Sequence, residues 1–324
     1  MDGLLIVDKP AGPTSHDVVA RTRRALREPR IGHTGTLDPA ATGVLPLVVG
    51  RATRLARFLS ARDKSYVAVV RLGVRTDTAD AEGAPVGPAY DVVGDGPLPG
   101  RAAIDAALDG FRGTFLQQPP AFSAKKIGGT RSHQLARARA ASATATPPHG
   151  RRRAPPDPAI LAAPAIVTVT RLDVVNLEAD LVTLSLDCSA GFYVRALAEE
   201  LGERLGVGAH LAALRRTRSG DCRIEDAIPL SVAERNPEEA IARLIPLSEL
   251  LPGLPAVRLN AEGARRARHG RDLGPADAVD TQFPDLAADQ VSWLCRLIDP
   301  AGDLLGLAEP AATCGLLHPS VVLM

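Results

Sequence analysis

Apolar residues open the chain as an unbroken run, Leu4-Leu5-Ile6-Val7, which predicts a short buried strand. Two prolines and a glycine between Asp8 and Pro13 end it. Ser15 is placed to cap the next segment. There Val18, Val19, Thr22 and Leu26 recur at helical spacing, and Pro29 stops the helix. From Ile31 to Gly43 bulky apolar residues almost vanish and three glycines appear, so this stretch reads as a loop of defined shape. Val44 to Val49 reads as a strand. Arg51 to Leu59 reads as a helix with Leu55, Phe58 and Leu59 on one face. Tyr66 to Val74 alternates with both faces mostly apolar, the mark of a central strand. Arg101 to Leu108 is helical in pattern, and Ala165 to Leu177 with Leu181 to Cys188 alternate as an antiparallel pair. Phe192 to Leu205 is an amphipathic helix whose stripe is Val194, Leu197, Leu201 and Leu205.

Strands and helices are mixed without a βαβ rhythm, which predicts an α+β fold rather than a doubly wound one. Residues 140–164 are rich in Ala, Thr, Pro and Arg without periodicity and read as a flexible basic insertion. Prolines recur from Pro246 to Pro255. Strand-like pieces follow at Ala256 to Leu259, Val291 to Ile298 and Leu304 to Leu307, the last after the turn Asp299-Pro300-Ala301-Gly302. The expected division is therefore a larger domain over 1–245 and a small β-rich domain over 250–324. A chain of 324 residues accommodates both.

Net charge is only +1, which by itself speaks weakly against nucleic acid. Its distribution changes that picture. No acidic residue lies between Asp109 and Asp157, while Arg112, Lys125, Lys126, Arg131, Arg137, Arg139 and Arg151 to Arg153 do. A one-signed stretch of this length creates a local positive field suited to phosphate backbones, or simply a solvated loop. No apolar run is long enough to span a bilayer, and Leu4 to Val7 is too short for a signal-peptide core, so the expected location is the cytoplasm. Cys188, Cys222, Cys295 and Cys314 are scattered, in no zinc-ligand spacing, and read as free thiols. No P-loop and no GxGxxG is present, so nothing points to a nucleotide cofactor.

The chemistry concentrates in the glycine-punctuated loop around Asp38. Glycines let a ligand approach the backbone closely, and loops on rigid scaffolds commonly carry function. An Asp before a Pro can equally serve only to start a turn. The stretch Gly32-His33-Thr34-Gly35-Thr36-Leu37-Asp38-Pro39-Ala40-Ala41-Thr42-Gly43-Val44-Leu45 resembles the signature of the bacterial TruB-type tRNA pseudouridine synthases, GHTGTLDPxATGxL. Further pieces resemble that family in the same order. They are Leu5 to Pro10, Asp63 to Tyr66, Leu72 to Thr78 with Asp80, Glu82 and Gly83, Gln118 to Ala124, Cys188 to Arg195, Gly206 to Leu211, and Leu214-Arg215-Arg216. The resemblance covers most of residues 3–230.

The resemblance implies a mixed, mainly antiparallel central sheet with flanking helices, followed by a small PUA-like β domain that binds RNA. It implies isomerisation of a T-loop uridine of tRNA, commonly position 55, to pseudouridine, with no metal and no cofactor. Asp38 is identified as the catalytic carboxylate, Arg195 as the cation that keeps it ionised, and Tyr66 as the active-site tyrosine. Tyr193 and Leu214 match positions lining the uracil pocket, and His33 the residue that fills the space beside the flipped base. The implied partner is tRNA, at its T-arm and elbow, with no obligatory protein partner and a monomeric chain. Two departures stand out: His133 lies where the family usually has a tyrosine, and the insertion is longer and richer in arginine.

Three rival readings remain at this level. One is a tRNA-binding folding chaperone that modifies nothing, which would not need Asp38, Tyr66 and Arg195 together. Another is a relative that works inside a guide-RNA complex, against which the basic segment from Lys125 onward speaks. A third, an Asp-dependent hydrolase, lacks a Ser-His pair, a nucleophile elbow and a ligand set. The charge pattern generates a prediction of its own: affinity for tRNA falls steeply between 50 and 200 mM salt, on the order of tenfold or more. A filter-binding titration that stays flat over that range contradicts the phosphate-binding reading of the basic segment.

Overall fold

The structure is a computed structural model that describes residues 1–120, 126–127, 130–131, 162–279 and 293–324. Most of the expected insertion, His133 and the first residues of the expected strand at 291 lie outside the described residues. In chain order the strands are β1 (Gly3–Lys9), β2 (Ile31–His33), β3 (Thr42–Val49), β4 (Lys64–Leu72), β5 (Gly113–Gln117), β6 (Lys126–Ile127), β7 (Thr130–Arg131) and β8 (Ala165–Glu178). Then come β9 (Leu181–Cys188), β10 (Ala209–Ser219), β11 (Cys222–Arg223), β12 (Ile228–Pro229), β13 (Ala256–Arg258), β14 (Cys295–Ile298), β15 (Leu304–Pro310) and β16 (Leu317–Val322). The chain forms two compact units. One holds Met1–Pro39, Gly43–Ala61 and Cys222–Met324; the other holds Ala40–Thr42 and Arg62–Asp221.

In the first unit β1 runs antiparallel to β3, with Gly3 opposite Val49 and Lys9 opposite Gly43. β12 lies parallel on the other edge of β1, and β2 pairs with the C-terminal half of β3. The helix Ser15–Leu26 is capped by Thr14, not by Ser15 as expected. Thr14 and Asp17 form a reciprocal capping box, which satisfies two of the orphan donors of the first turn. The helix ends at Arg27, in left-handed backbone, before Pro29 is reached. Residues after β3 form a 3-10 turn, Gly50–Leu55, and then a short helix, Ala56–Ser60, where one continuous helix was expected.

The small sheet of this unit has β13 parallel to β14, then β15 and β16 antiparallel. Val257, Leu259, Cys295, Leu297, Leu305, Ala308 and Leu317 form its own core with Ala264 and Ala267 of the helix Ala261–Arg268. That helix escaped the sequence reading because its buried face is made of small residues. They let it lie close: a Cβ on Gly263 would stand 2.2 Å from the Asp277 carbonyl oxygen. A second core joins Leu304, Leu307, Val321 and Leu323 to Leu4, Ile6, Val44, Val48 and Leu55.

In the second unit five strands run antiparallel in the order β10-β4-β9-β8-β5. β4 is central, as expected, with β10 and β9 on its two edges. Only one of its faces is buried, however. Tyr66, Ala68, Val70 and Leu72 are inside, while Val67 is 37% exposed and Arg71 faces solvent. β10 was not anticipated, because Arg215, Arg216 and Arg218 break the apolar alternation. It is also bulged twice, between Leu211 and Ala213 and between Arg216 and Arg218. The helices Arg101–Leu108 and Val194–Arg204 flank the sheet and match their expected positions closely. With one parallel pair in each of the sheets of the first unit and otherwise antiparallel strands, the fold is the expected α+β type.

Lys64 opens β4 and is 7% exposed. Its ammonium donates to the Arg62 carbonyl at 2.6 Å. Burial, and next the charge of Arg216, push its pKa down to about 8. The unfolded chain keeps this proton to near 10.5, so between about pH 8 and 10.5 the unfolded state binds more protons and stability rises with pH. The expected rise is at most about 3 kcal/mol, at about 1.36 kcal/mol per tenfold change in proton affinity. Urea melts across this range show the rise for wild type and a flatter profile for Lys64→Met; parallel profiles contradict the assignment.

Candidate active site

The loop around Asp38 belongs to the first unit and leaves the strand ladder after Thr34, whose N–H still reaches the Pro46 carbonyl at 3.1 Å. Its peptides are held by other means. Ser15, 1% exposed, receives the Leu37 N–H on its hydroxyl oxygen at 2.9 Å and donates its own proton to the Leu37 carbonyl at 3.0 Å. One hydroxyl thus fixes both polar groups of the residue before Asp38. This explains why Ser15 does not cap its helix: its side chain is committed to the loop. The residue after Asp38 is held as firmly. The Pro39 carbonyl accepts the Gly12 N–H at 2.9 Å and the Lys9 ammonium at 2.9 Å. Lys9 is fully buried, and it also donates to the Pro10 carbonyl at 2.9 Å. Gly12 reaches this position with φ of 104°, which only glycine adopts without strain. Asp38 therefore sits half-buried between two immobilised peptides, with Leu37 packed in the core behind it.

His33 ends β2 at the entrance to the loop. Its Nδ1 accepts the Gly35 N–H at 3.4 Å, and its ring meets His16 edge to face at 5.3 Å. Arg54, in the 3-10 turn after β3, donates to the Val322 carbonyl.

The remaining expected site residues belong to the second unit, which the chain enters at Ala40, directly after Pro39. Arg195 lies in the first turn of the helix Val194–Arg204 and is 7% exposed. A cation there opposes the helix dipole, so a tertiary partner must compensate. Its Nη1 lies 3.5 Å from an Asp80 carboxylate oxygen and donates to the Thr78 carbonyl at 3.2 Å. Asp80 is itself positioned: Thr78 donates its hydroxyl to it at 2.6 Å and Glu82 its N–H at 3.1 Å. The tight turn needs Gly83, where a Cβ would lie 2.3 Å from the Thr78 hydroxyl. Asp80 was noticed in the sequence only as part of a motif. Its place beside Arg195 depends on a loop fold that no periodicity reveals.

Tyr193 stands at the N-terminal boundary of the same helix, without a capping side-chain bond. Gln117, 4% exposed, accepts the Tyr193 N–H at 2.8 Å and donates its amide to the Tyr193 carbonyl at 3.0 Å. The device is the one Ser15 applies to Leu37. Tyr66 is 7% exposed on β4, level with Leu186 and with Arg216. Leu214 lies between the two bulges of β10, level with Ala68. Bulges re-aim side chains near functional sites. The Leu214 carbonyl accepts the Thr42 hydroxyl at 3.4 Å, and Arg215 donates to the same hydroxyl oxygen at 3.4 Å. Tyr66, Tyr193, Arg195 and Leu214 thus share one unit, while Asp38 and His33 share the other.

Residues 23–148 match the family model described as "TruB family pseudouridylate synthase (N terminal domain)", and residues 195–245 match "tRNA pseudouridylate synthase B C-terminal domain". A protein of Solibacter usitatus named tRNA pseudouridine synthase B is 38% identical over the whole of both chains. One of the same name from Ralstonia nicotianae is 39% identical over 98% of this chain and 92% of its own. Among solved structures, one titled as a Cbf5-Nop10-Gar1 complex aligns with TM-score 0.68 and 25% identity, over 99% of this chain and 85% of that one. Fold and motif loop together define a pseudouridine synthase, an isomerase. The chain belongs to the TruB family of tRNA pseudouridine synthases.

The loop geometry generates a prediction. Ser15→Ala removes two buried hydrogen bonds and leaves both Leu37 groups without them, at about 1–3 kcal/mol per stranded group. Urea unfolding shows a loss of about 2–6 kcal/mol. The isomerisation rate at saturating tRNA drops more than tRNA affinity does. An unchanged rate in a destabilised protein shows that the clamp serves stability alone.

Proposed function

We propose that the chain isomerises uridine 55 in the T-loop of tRNA to pseudouridine, with Asp38 as its catalytic carboxylate. The observation that carries this reading is the clamped loop, which holds the residues on both sides of Asp38 in a chain of the TruB family. The reaction breaks the bond from C1′ to N1 of uracil, turns the base and joins C1′ to C5. N1 gains a proton, and the hydrogen on C5 leaves to water. Nothing is oxidised or added. Asp38 acts at the ribose, as nucleophile at C1′ or as base toward the 2′ proton; both roles need it ionised and in place.

The target uridine is stacked inside folded RNA and is flipped out for reaction. His33 takes the space beside it. Tyr66 stacks on the uracil, and its hydroxyl assists removal of the C5 proton. Tyr193 and Leu214 line the uracil pocket. Arg195 supplies positive charge for Asp38, and Asp80 holds the Arg195 guanidinium. Residues 1–245 form the catalytic part and 250–324 a PUA-like part that binds RNA; the separate core of the small sheet supports that division. The enzyme works as a monomer without a protein partner or cofactor, gripping the T-arm and elbow of tRNA in the cytoplasm. No helix among the described residues is long and apolar enough to cross a membrane.

The test uses an unmodified tRNA transcript tritiated at C5 of uridine. Wild type releases tritium; Asp38→Asn releases none, a loss of at least about 10⁴-fold, and keeps tRNA affinity within about threefold. Mapping the product places the pseudouridine at position 55. Tight binding by wild type without release would falsify the stand-alone enzyme and favour a binding chaperone or a guide-dependent relative.

A further inference from the structure

The small sheet has a face its own core does not use. Val257 of β13 and Cys295 and Leu297 of β14 turn into the core. The alternate residues face the other way: Ala256 stands level with Arg296, and Arg258 with Ile298. These four residues line a cavity of about 570 Å³, which Ser248 and the turn from Asp299 to Gly302 close. That volume lies in the range of small-ligand sites.

Two guanidinium groups set its chemistry. Arg296 is partly buried and its Nη1 donates to the Ser248 carbonyl at 3.3 Å. Its Nε is fully buried and has no hydrogen-bond partner among the described residues. Arg258 is exposed and makes no ion pair or side-chain hydrogen bond with the described residues. Arg258 and Arg296 stand two residues out of register on neighbouring strands, on one face, a separation of roughly 7–8 Å at the backbone. Side chains of that length are long enough to reach one group from there.

Asp299 also borders the cavity, but its charge is already engaged. One carboxylate oxygen accepts the N–H groups of Ala301 and Asp303 at 2.9 and 3.0 Å. The other accepts Arg268 at 3.3 Å. Among the described residues the cavity therefore keeps an excess of positive charge carried by planar, bidentate donors, the chemistry that recognises phosphate.

We propose that this cavity is a phosphate site, in which Arg258 and Arg296 hold a backbone phosphate of tRNA together with the sugar attached to it. The identity of the ligand rests on the reading of the chain as a tRNA-modifying enzyme; the anion site does not. Two measurements on the full chain separate these parts, each with Arg258→Ala and Arg296→Met beside wild type. Thermal melting in sodium phosphate against sodium chloride of equal ionic strength probes the site with the inorganic ion. Phosphate raises the wild-type midpoint, and each variant loses a measurable part of that rise. An equal rise in all three proteins overturns the site. Titration with tRNA at several salt concentrations probes the source. Each variant binds severalfold more weakly at moderate salt, and the slope of log affinity against log salt shrinks by about one. Variants with wild-type affinity and slope, but without the phosphate effect, overturn the RNA assignment and leave a site for a free phosphate compound. Wild type without any affinity for tRNA defeats the proposed function, while the melting comparison still decides the site. Arg258 is exposed, so its variant tests the site even where Arg296→Met unfolds the protein.

Discussion

A carboxylate proposed to act on a bound sugar must be held in place before the substrate arrives, and a loop outside the strand ladder needs other bonds to hold it. Here the burden falls on a few buried polar side chains. Ser15 satisfies both polar groups of Leu37, while Lys9 and Gly12 secure the Pro39 carbonyl. Ser15, Lys9 and Leu37 are inside the protein, where water competes poorly for a hydrogen bond and an unmade one is expensive. Rotation of Asp38 about its backbone would require breaking several such bonds together. Preorganisation of this kind is what gives charged groups their leverage in catalysis.

The second unit repeats the device. Gln117 grips the backbone of Tyr193 as Ser15 grips Leu37, at the start of the helix that carries Arg195. Arg195 in turn is steadied by Asp80 and the Thr78 carbonyl, in a turn closed around Gly83. A guanidinium with one side committed to a fixed carboxylate keeps its remaining donors in a defined direction. Bulges on both sides of Leu214 act on the same scale, setting where a side chain points without altering the sheet around it.

How much of this was legible follows from what periodicity reports. β1, β4, the β8–β9 pair and the helix at Val194–Arg204 announce themselves through apolar spacing, and their observed bounds lie close to expectation. β10 does not, since arginines occupy positions where alternation would need apolar residues. The helix Ala261–Arg268 buries glycine and alanine, which carry almost no hydrophobic signal. Ser15 illustrates a different limit. Its type and place suited a helix cap, and Thr14, one residue earlier, takes that role with Asp17. Only the three-dimensional path of the chain reveals that its hydroxyl is needed 22 residues away. The candidate site was legible through family resemblance around Asp38, whereas the supports of that site, Ser15, Gln117 and Asp80, are tertiary features.

The central claim is that Asp38 is held by its neighbours' buried hydrogen bonds before substrate binds. Native-state hydrogen exchange of the free protein tests it directly, read at the amides of Leu37 and Gly12. The account predicts protection of both close to that of β1 and β3, and far above that of an irregular surface loop. Exchange of Leu37 and Gly12 at the rate of an unstructured peptide, while β1 and β3 stay protected, would show that the loop is not preorganised and that the account is wrong.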